Sequence, residues 1–152
     1  MSAIVVSSPL GPLTVTERDG AIATLDWADA AAGTPTPLLE RAGRQLQDYF
    51  DGRLRSFDLP LAPDGTPFLR KIWRRLATIP YGKTVTYGAL ARATSTAPRA
   101  VGMACGRNPI PIIIPCHRVI GLNGAMTGYS GAGGLDTKKH LLEFELSVLG
   151  RD

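Results

Sequence analysis

The stretch Ile112-Ile113-Ile114-Pro115-Cys116-His117-Arg118-Val119-Ile120 decides how this chain is read. Its β-branched, core-like start predicts a buried strand. The strand ends at a cysteine followed at once by an imidazole and a guanidinium, a setting in which a fold holds a thiol rigid and sheltered. Cysteine chemistry is therefore the first function to consider. A free thiol titrates near pH ~8.5, so its use at neutral pH needs a base or local positive charge. Neighbours on an extended segment point oppositely. His117 reaches the Cys116 proton only if the backbone turns sharply after Pro115 or a water links the two, with Glu145 then holding the other ring nitrogen. Cys105, the other cysteine, has no evident acid-base partner and reads as a buried small hydrophobe.

Around this stretch, 152 residues with 44% hydrophobic content suit one domain or two very small ones with a real core. No run approaches the length of a membrane span, and the N-terminus lacks the basic start and apolar run of a signal peptide. Two cysteines without an export signal point to a cytosolic protein with free thiols. Cys105, Cys116, His117 and His140 make a poor zinc set, because adjacent Cys116 and His117 do not easily reach one tetrahedral ion; no metal is expected. Residues 1–63 carry five basic and eight acidic residues, net −3, whereas residues 64–152 carry twelve and five, net +7. The half holding the thiol is thus the half suited to a polyanion, ordinary solubility charge being the bland alternative.

In residues 1–63 the runs 4–8, 13–16 and 21–27 read as short strands of an antiparallel meander, the last two joined around Asp19-Gly20. Leu38, Leu39, Ala42, Leu46, Tyr49 and Phe50 recur at helical spacing over 37–50, and Asp51-Gly52 stops that helix. No catalytic cluster is visible there; this is a supporting α/β domain, and 60–65 connects it to the second half of the chain. In residues 64–152 Thr66 caps and Pro67 begins a helix through Leu69, Ile72, Trp73 and Leu76 that ends near Ile79-Pro80. Thr86 caps a short helix over 87–93, and a second covers 99–106. The pair has the proportions of a helix-turn-helix. Ala100, Gly102 and Ala104 line the second helix, which suits either close approach to a DNA backbone or tight packing on another helix. Asn108 is placed to tie one backbone turn to another beside Cys116. The segments 119–120 and 125–127 resemble a small hairpin, a wing. Residues 128–134, with four glycines, Tyr129 and Ser130, form a polar loop able to close over a ligand. A last helix over 136–149 turns Leu141, Leu142, Phe144, Leu146 and Val148 mostly inward.

Pro115-Cys116-His117-Arg118-Val119, preceded by Arg99-Ala100-Val101-Gly102 and Asn108-Pro109, resembles the methylated-DNA-protein-cysteine S-methyltransferases, closely over 66–149 and mainly in size and position before that. The resemblance implies a ribonuclease-H-like α/β domain with a small antiparallel sheet over 1–63, and a mainly α winged-helix domain with a helix-turn-helix over 64–152. It implies direct reversal of alkylation damage: Cys116 takes the methyl group of 6-O-methylguanine irreversibly, once per molecule, with no cofactor, and 4-O-methylthymine is a candidate second substrate. His117 matches the histidine that works through water, Glu145 the acid that orients it, and Asn108 the residue supporting the turn. Tyr87 matches the tyrosine that helps rotate the nucleotide and protonates or hydrogen-bonds the departing guanine. Arg99 matches the arginine that fills the vacated space, with Thr86, Ala100, Gly102 and Arg118 as further DNA contacts. Tyr129, Ser130, Lys138 and Val119 line the pocket implied for the flipped base. The expected partner is double-stranded DNA carrying alkylated bases, with no membrane. A cytoplasmic monomer, nucleoid-associated when on DNA, is expected, with cooperativity open. Departures are a shorter 87–99 interval, a longer 131–134 stretch and Arg107 where small residues are frequent. The rivals are a non-enzymatic binder of alkylated DNA that signals to other repair factors, and a thiol hydrolase using Cys116 and His117.

Overall fold

The computed structural model describes residues 2–30, 33–125 and 134–151, which fall into two compact units, Met1–Asp64 and Gly65–Asp152.

The first unit is a three-stranded antiparallel sheet in the order β1 (Ser2–Val6), β2 (Leu13–Arg18), β3 (Ala21–Asp26), with one helix, α1 (Pro37–Phe50). Asp19 and Gly20 both adopt positive φ, 52° and 80°, the conformation a two-residue hairpin turn requires. Ile4 faces Val15 and Val15 faces Leu25, so one face of the sheet is a continuous apolar row. That row packs with Leu39, Ala42, Leu46 and Tyr49 of α1, all fully buried. Thr36 caps α1 by accepting the Leu39 N–H, ahead of Pro37. Leu61 bridges to Ile22 in parallel, which gives the outgoing segment a place at the sheet edge.

The second unit contains α2 (Pro67–Leu76), β4 (Val85–Thr86), α3 (Tyr87–Ala93), α4 (Pro98–Gly106), β5 (Val119–Ile120) and α5 (Leu135–Leu149). Thr66 and Thr86 cap α2 and α3 with their hydroxyls, at 3.1 and 3.0 Å from the N–H groups of Leu69 and Ala89. The link between α3 and α4 is four residues, Thr94 to Ala97, with Ser95 in the left-handed region at φ 57°. Ile72, Trp73, Leu76, Val101, Ala104 and Leu141 form the core between the helices.

The structure departs from the sequence reading at four places here. The Ile112–Ile114 run is a buried turn and not a strand: Ile114 N–H bonds back to Ile110 C=O at 2.9 Å, and Ile112 sits at φ 72°. β-branching there reports burial between two prolines, with no neighbouring strand to pair. The ladder partner of Val119–Ile120 is β4, in parallel, and not the chain beyond it. A 3-10 turn at Leu122–Gly124 folds the chain back far enough for one bond, Gly121 N–H to Ala125 C=O at 2.8 Å; the outer arm of the expected wing lies outside the described residues. Leu146 is 59% exposed and does not turn inward. Ala104 is fully buried, so it belongs to the core and not to the outer face of α4.

Candidate active site

Cys116 opens a single 3-10 turn, Cys116–Arg118, held between the buried 110–115 segment and β5. This is the sharp turn after Pro115 on which a Cys116 and His117 pairing depends, and it buries all three side chains. Asn108 fixes the approach: its Nδ2 donates to Ile114 C=O at 2.8 Å while its Oδ1 accepts the Ile110 N–H at 3.0 Å. These two bonds hold Ile112 in a conformation that costs a β-branched residue about 1–3 kcal/mol. Burial pushes the Cys116 thiol up from its ordinary value; the Asn108 side chain and the Lys138 charge pull it partly back.

His117 and Arg118 both turn to Glu145 of α5. His117 Nε2 lies 2.7 Å from Glu145 Oε2, and Arg118 grips both carboxylate oxygens, Nε to Oε1 at 3.0 Å and Nη2 to Oε2 at 2.9 Å. Gly82 N–H adds a fourth bond, to Oε1 at 3.0 Å. Burial alone raises a carboxyl, but the bonds and charges of His117 and Arg118 outweigh it and hold Glu145 down at about 2. A carboxylate that accepts at Oε2 requires the proton of neutral His117 on Nε2, so Nδ1 carries the lone pair. Nδ1 is buried without a hydrogen-bond partner among the described residues. Burial, aided by the Arg118 and Lys138 charges, pushes the imidazole below its ordinary value despite the Glu145 contact.

Lys138, also on α5, is fully buried and donates to the Tyr87 hydroxyl at 3.2 Å, its Nζ 5.4 Å from the centre of the same ring. Burial lowers its amine below the ordinary lysine value. Thr86 spends its hydroxyl on capping α3. Arg99 is exposed in the first turn of α4, with Ala100 and Gly102 half-buried behind it; a Cβ on Gly102 would meet the Tyr87 ring at 4.0 Å. Val119 is completely buried in β5, so it supports the site from beneath and offers no accessible wall. Tyr129 and Ser130 lie outside the described residues. Among the described residues no group of three or more His, Cys, Asp or Glu could hold a metal ion.

Arg118 is a correction. Read from the sequence as a DNA contact, it is 6% exposed, bonded to Glu145 and to Ile79 C=O at 2.7 Å, and lies over the Tyr81 ring at 5.5 Å. Its charge is consumed inside the protein. Cys105 is the buried small hydrophobe expected from the sequence, and burial pushes its thiol up to about 12; its nearness to Cys116 and Lys138, whose charges it feels, has no sign in the sequence. The turn after Ile79-Pro80 is expected from the sequence, but the roles of the Ile79 carbonyl and the Gly82 N–H in holding Arg118 and Glu145 have no local signal.

Two family models cover nearly the whole chain. Residues 67–147 match the 6-O-methylguanine DNA methyltransferase DNA binding domain, and residues 1–63 match the ribonuclease-like domain of the same enzymes. The chain belongs to the 6-O-methylguanine DNA methyltransferase family. The methyltransferase of Methanosarcina barkeri is 44% identical over 93% of this chain and 94% of its own length. Among solved structures, the Mycobacterium tuberculosis O6-methylguanine methyltransferase superposes with a TM-score of 0.84 at 41% identity, covering 96% of this chain and 93% of that one. The same organism's OGT in complex with DNA gives 0.84 at 43%, covering 95% and 92%. With a family assigned, the small antiparallel sheet with its helix is the ribonuclease-like domain, and the helix-turn-helix of α3 and α4 belongs to the DNA binding domain.

Proposed function

We propose that Cys116 is the methyl acceptor in direct-reversal repair of double-stranded DNA. The chain is a methyltransferase that moves the methyl group of 6-O-methylguanine to a cysteine of its own. Cys116 Sγ attacks the methyl carbon, the carbon-oxygen bond breaks, and its electron pair returns to the guanine. The thiol proton passes, through water, to His117 Nδ1, and Glu145 stabilises the imidazolium, with Arg118 compensating the carboxylate. Tyr87, assisted by Lys138, supplies a proton to the departing guanine. The products are S-methylcysteine and an intact guanine, so each molecule acts once, and no methyl-donor cofactor enters.

The observation that carries this reading is a buried thiol followed, in the same 3-10 turn, by a buried histidine whose Nε2 is bonded to an ion-paired carboxylate. Flipping costs less at a lesion, where pairing is weakened; Arg99, exposed in the first turn of α4, fills the gap in this reading while lysines and arginines neutralise phosphates. Among the described residues no helix is long and apolar enough to cross a membrane, and a cytoplasmic monomer working on the nucleoid fits. Intact-protein and peptide mass after mixing with duplex carrying one 6-O-methylguanine tests the reading, with Cys116→Ser alongside. One methyl group mapped to Cys116, matched by restored guanine and absent in the variant, is expected. Tight binding with no added mass would instead make this a lesion-binding protein.

A further inference from the structure

We infer that α2 clamps the helix-turn-helix, with Lys71 and Trp73 as positioning residues that set how α3 and α4 meet DNA. The inference rests on the DNA-repair reading above. The last turn of any helix leaves carbonyls without intrahelical donors. At the end of α3, Thr94 bonds its own N–H to Leu90 C=O at 3.1 Å and its hydroxyl to the same carbonyl at 2.7 Å. Its remaining group, the carbonyl, accepts Lys71 Nζ at 2.7 Å. An ammonium there also faces the negative end of the helix. At the end of α4, Ala104 C=O accepts the indole N–H of Trp73 at 2.8 Å, in full burial, beside a longer 3.3 Å bond from the Arg107 N–H.

One helix thus caps the C-terminal ends of both members of the pair, from two residues on α2. Tyr87 and Arg99, the side chains proposed to enter the duplex, stand at the opposite, N-terminal ends of the same two helices. The nine residues of α4 span about 13 Å, so a tilt of about 5° about its C-terminal end moves its tip by about 1 Å. A displacement of that size matters for a group that must occupy the hole left by one base. Neither bond includes an atom of the Cys116, His117 and Glu145 cluster.

The test compares Lys71→Met and Trp73→Phe with the unmodified full chain. Single-turnover methyl transfer is read from duplex carrying 6-O-methylguanine, below saturation, and from the free 6-O-methylguanine base, with duplex affinity taken by fluorescence anisotropy at several salt concentrations. Each variant is expected to slow transfer from duplex and weaken duplex affinity about fivefold, the effect of one lost hydrogen bond. Transfer from the free base, which needs Tyr87 but not the docking of α4 on a duplex, should fall clearly less than transfer from duplex, and Lys71→Arg should restore the duplex rate. Loss of equal size on both substrates, or no loss on duplex, overturns the clamp. So does a salt slope shallower by about one in Lys71→Met, the mark of a direct phosphate contact. If the unmodified chain transfers from neither substrate, the repair reading fails, and the affinity series alone still decides the clamp.

Discussion

Gly82→Ala probes the support of the site through a position that carries no side chain. Gly82 has φ 73°, and a Cβ built there would fall inside the contact distance of Leu149 Cδ1. The left-handed backbone costs an alanine about 1 kcal/mol, near the lower end of the usual penalty. Overpacking against Leu149 adds about 1–3 kcal/mol. The sum of about 2–4 kcal/mol lowers Tm by about 4–16 °C for a chain of this size. The two parts separate in a double-mutant cycle. Leu149→Ala alone costs about 1–2 kcal/mol of burial, but in the double variant the clash is gone and only the backbone penalty remains. Gly82→Ala/Leu149→Ala should therefore be about 1–3 kcal/mol more stable than the sum of the single losses, by urea denaturation. Additivity within about 0.5 kcal/mol would refute the packing argument. The Gly82 N–H is one of four donors to Glu145, so single-turnover transfer should also slow in Gly82→Ala and recover in the double variant.

Glu145→Gln leaves the buried Arg118 charge facing an amide, and a loss of about 3–5 kcal/mol in urea denaturation is expected; a loss under about 1 kcal/mol would count against the ion pair. Acid should destabilise the unmodified protein throughout. Folded His117 resists protonation, so its contribution is present above the ordinary value of 6.5 and shrinks as pH falls below it. Glu145 loses its own contribution between 4.5 and about 2; stability flat from pH 7 to pH 4.5 would contradict the His117 assignment, and stability flat below pH 4.5 the Glu145 one. Because burial raises the Cys116 thiol above 9.0, its alkylation by iodoacetamide without DNA should climb about tenfold per pH unit from 7 to 9, and a plateau below pH 8 would show a standing thiolate. Arg99→Ala should slow repair of duplex more than of single-stranded substrate, since only a duplex has a gap to fill; equal losses would remove that role.

What the sequence made legible is what neighbours in the chain decide. Thr66-Pro67 and Thr86 announce two helix starts through hydroxyls that cap within three residues. The Ile112–Ile114 run is misleading because β-branching reports burial, and nothing local says whether a partner strand exists. Arg118 is easily misread because a guanidinium in a basic half of the chain suits DNA equally well. Its true partner is 27 residues away, and the Gly82 donor to Glu145 is 63 residues away. Such pairings come from how the Cys116–Arg118 turn packs on α5, so from the residues alone the contact of Glu145 with His117 is a conjecture about proximity that spacing does not prove.

The resting electrostatics of the site also separate the repair reading from a thiol hydrolase. A turnover enzyme of that kind keeps a thiolate and imidazolium pair ready, with the thiol pulled down by an adjacent cation. Here burial drives the two groups the other way, Cys116 up and His117 down, so both are neutral at rest. A nucleophile used once and never regenerated is better served by silence, because any stray electrophile would consume the molecule. The thiol becomes reactive only when a bound base brings the electrophilic carbon into a dry pocket and the proton has somewhere to go. In the proposed mechanism His117 Nδ1, without a hydrogen-bond partner among the described residues and on the far side of the ring from the Glu145 bond, is that place. On this reading, the same burial that makes Cys116 a poor general thiol makes it a selective acceptor.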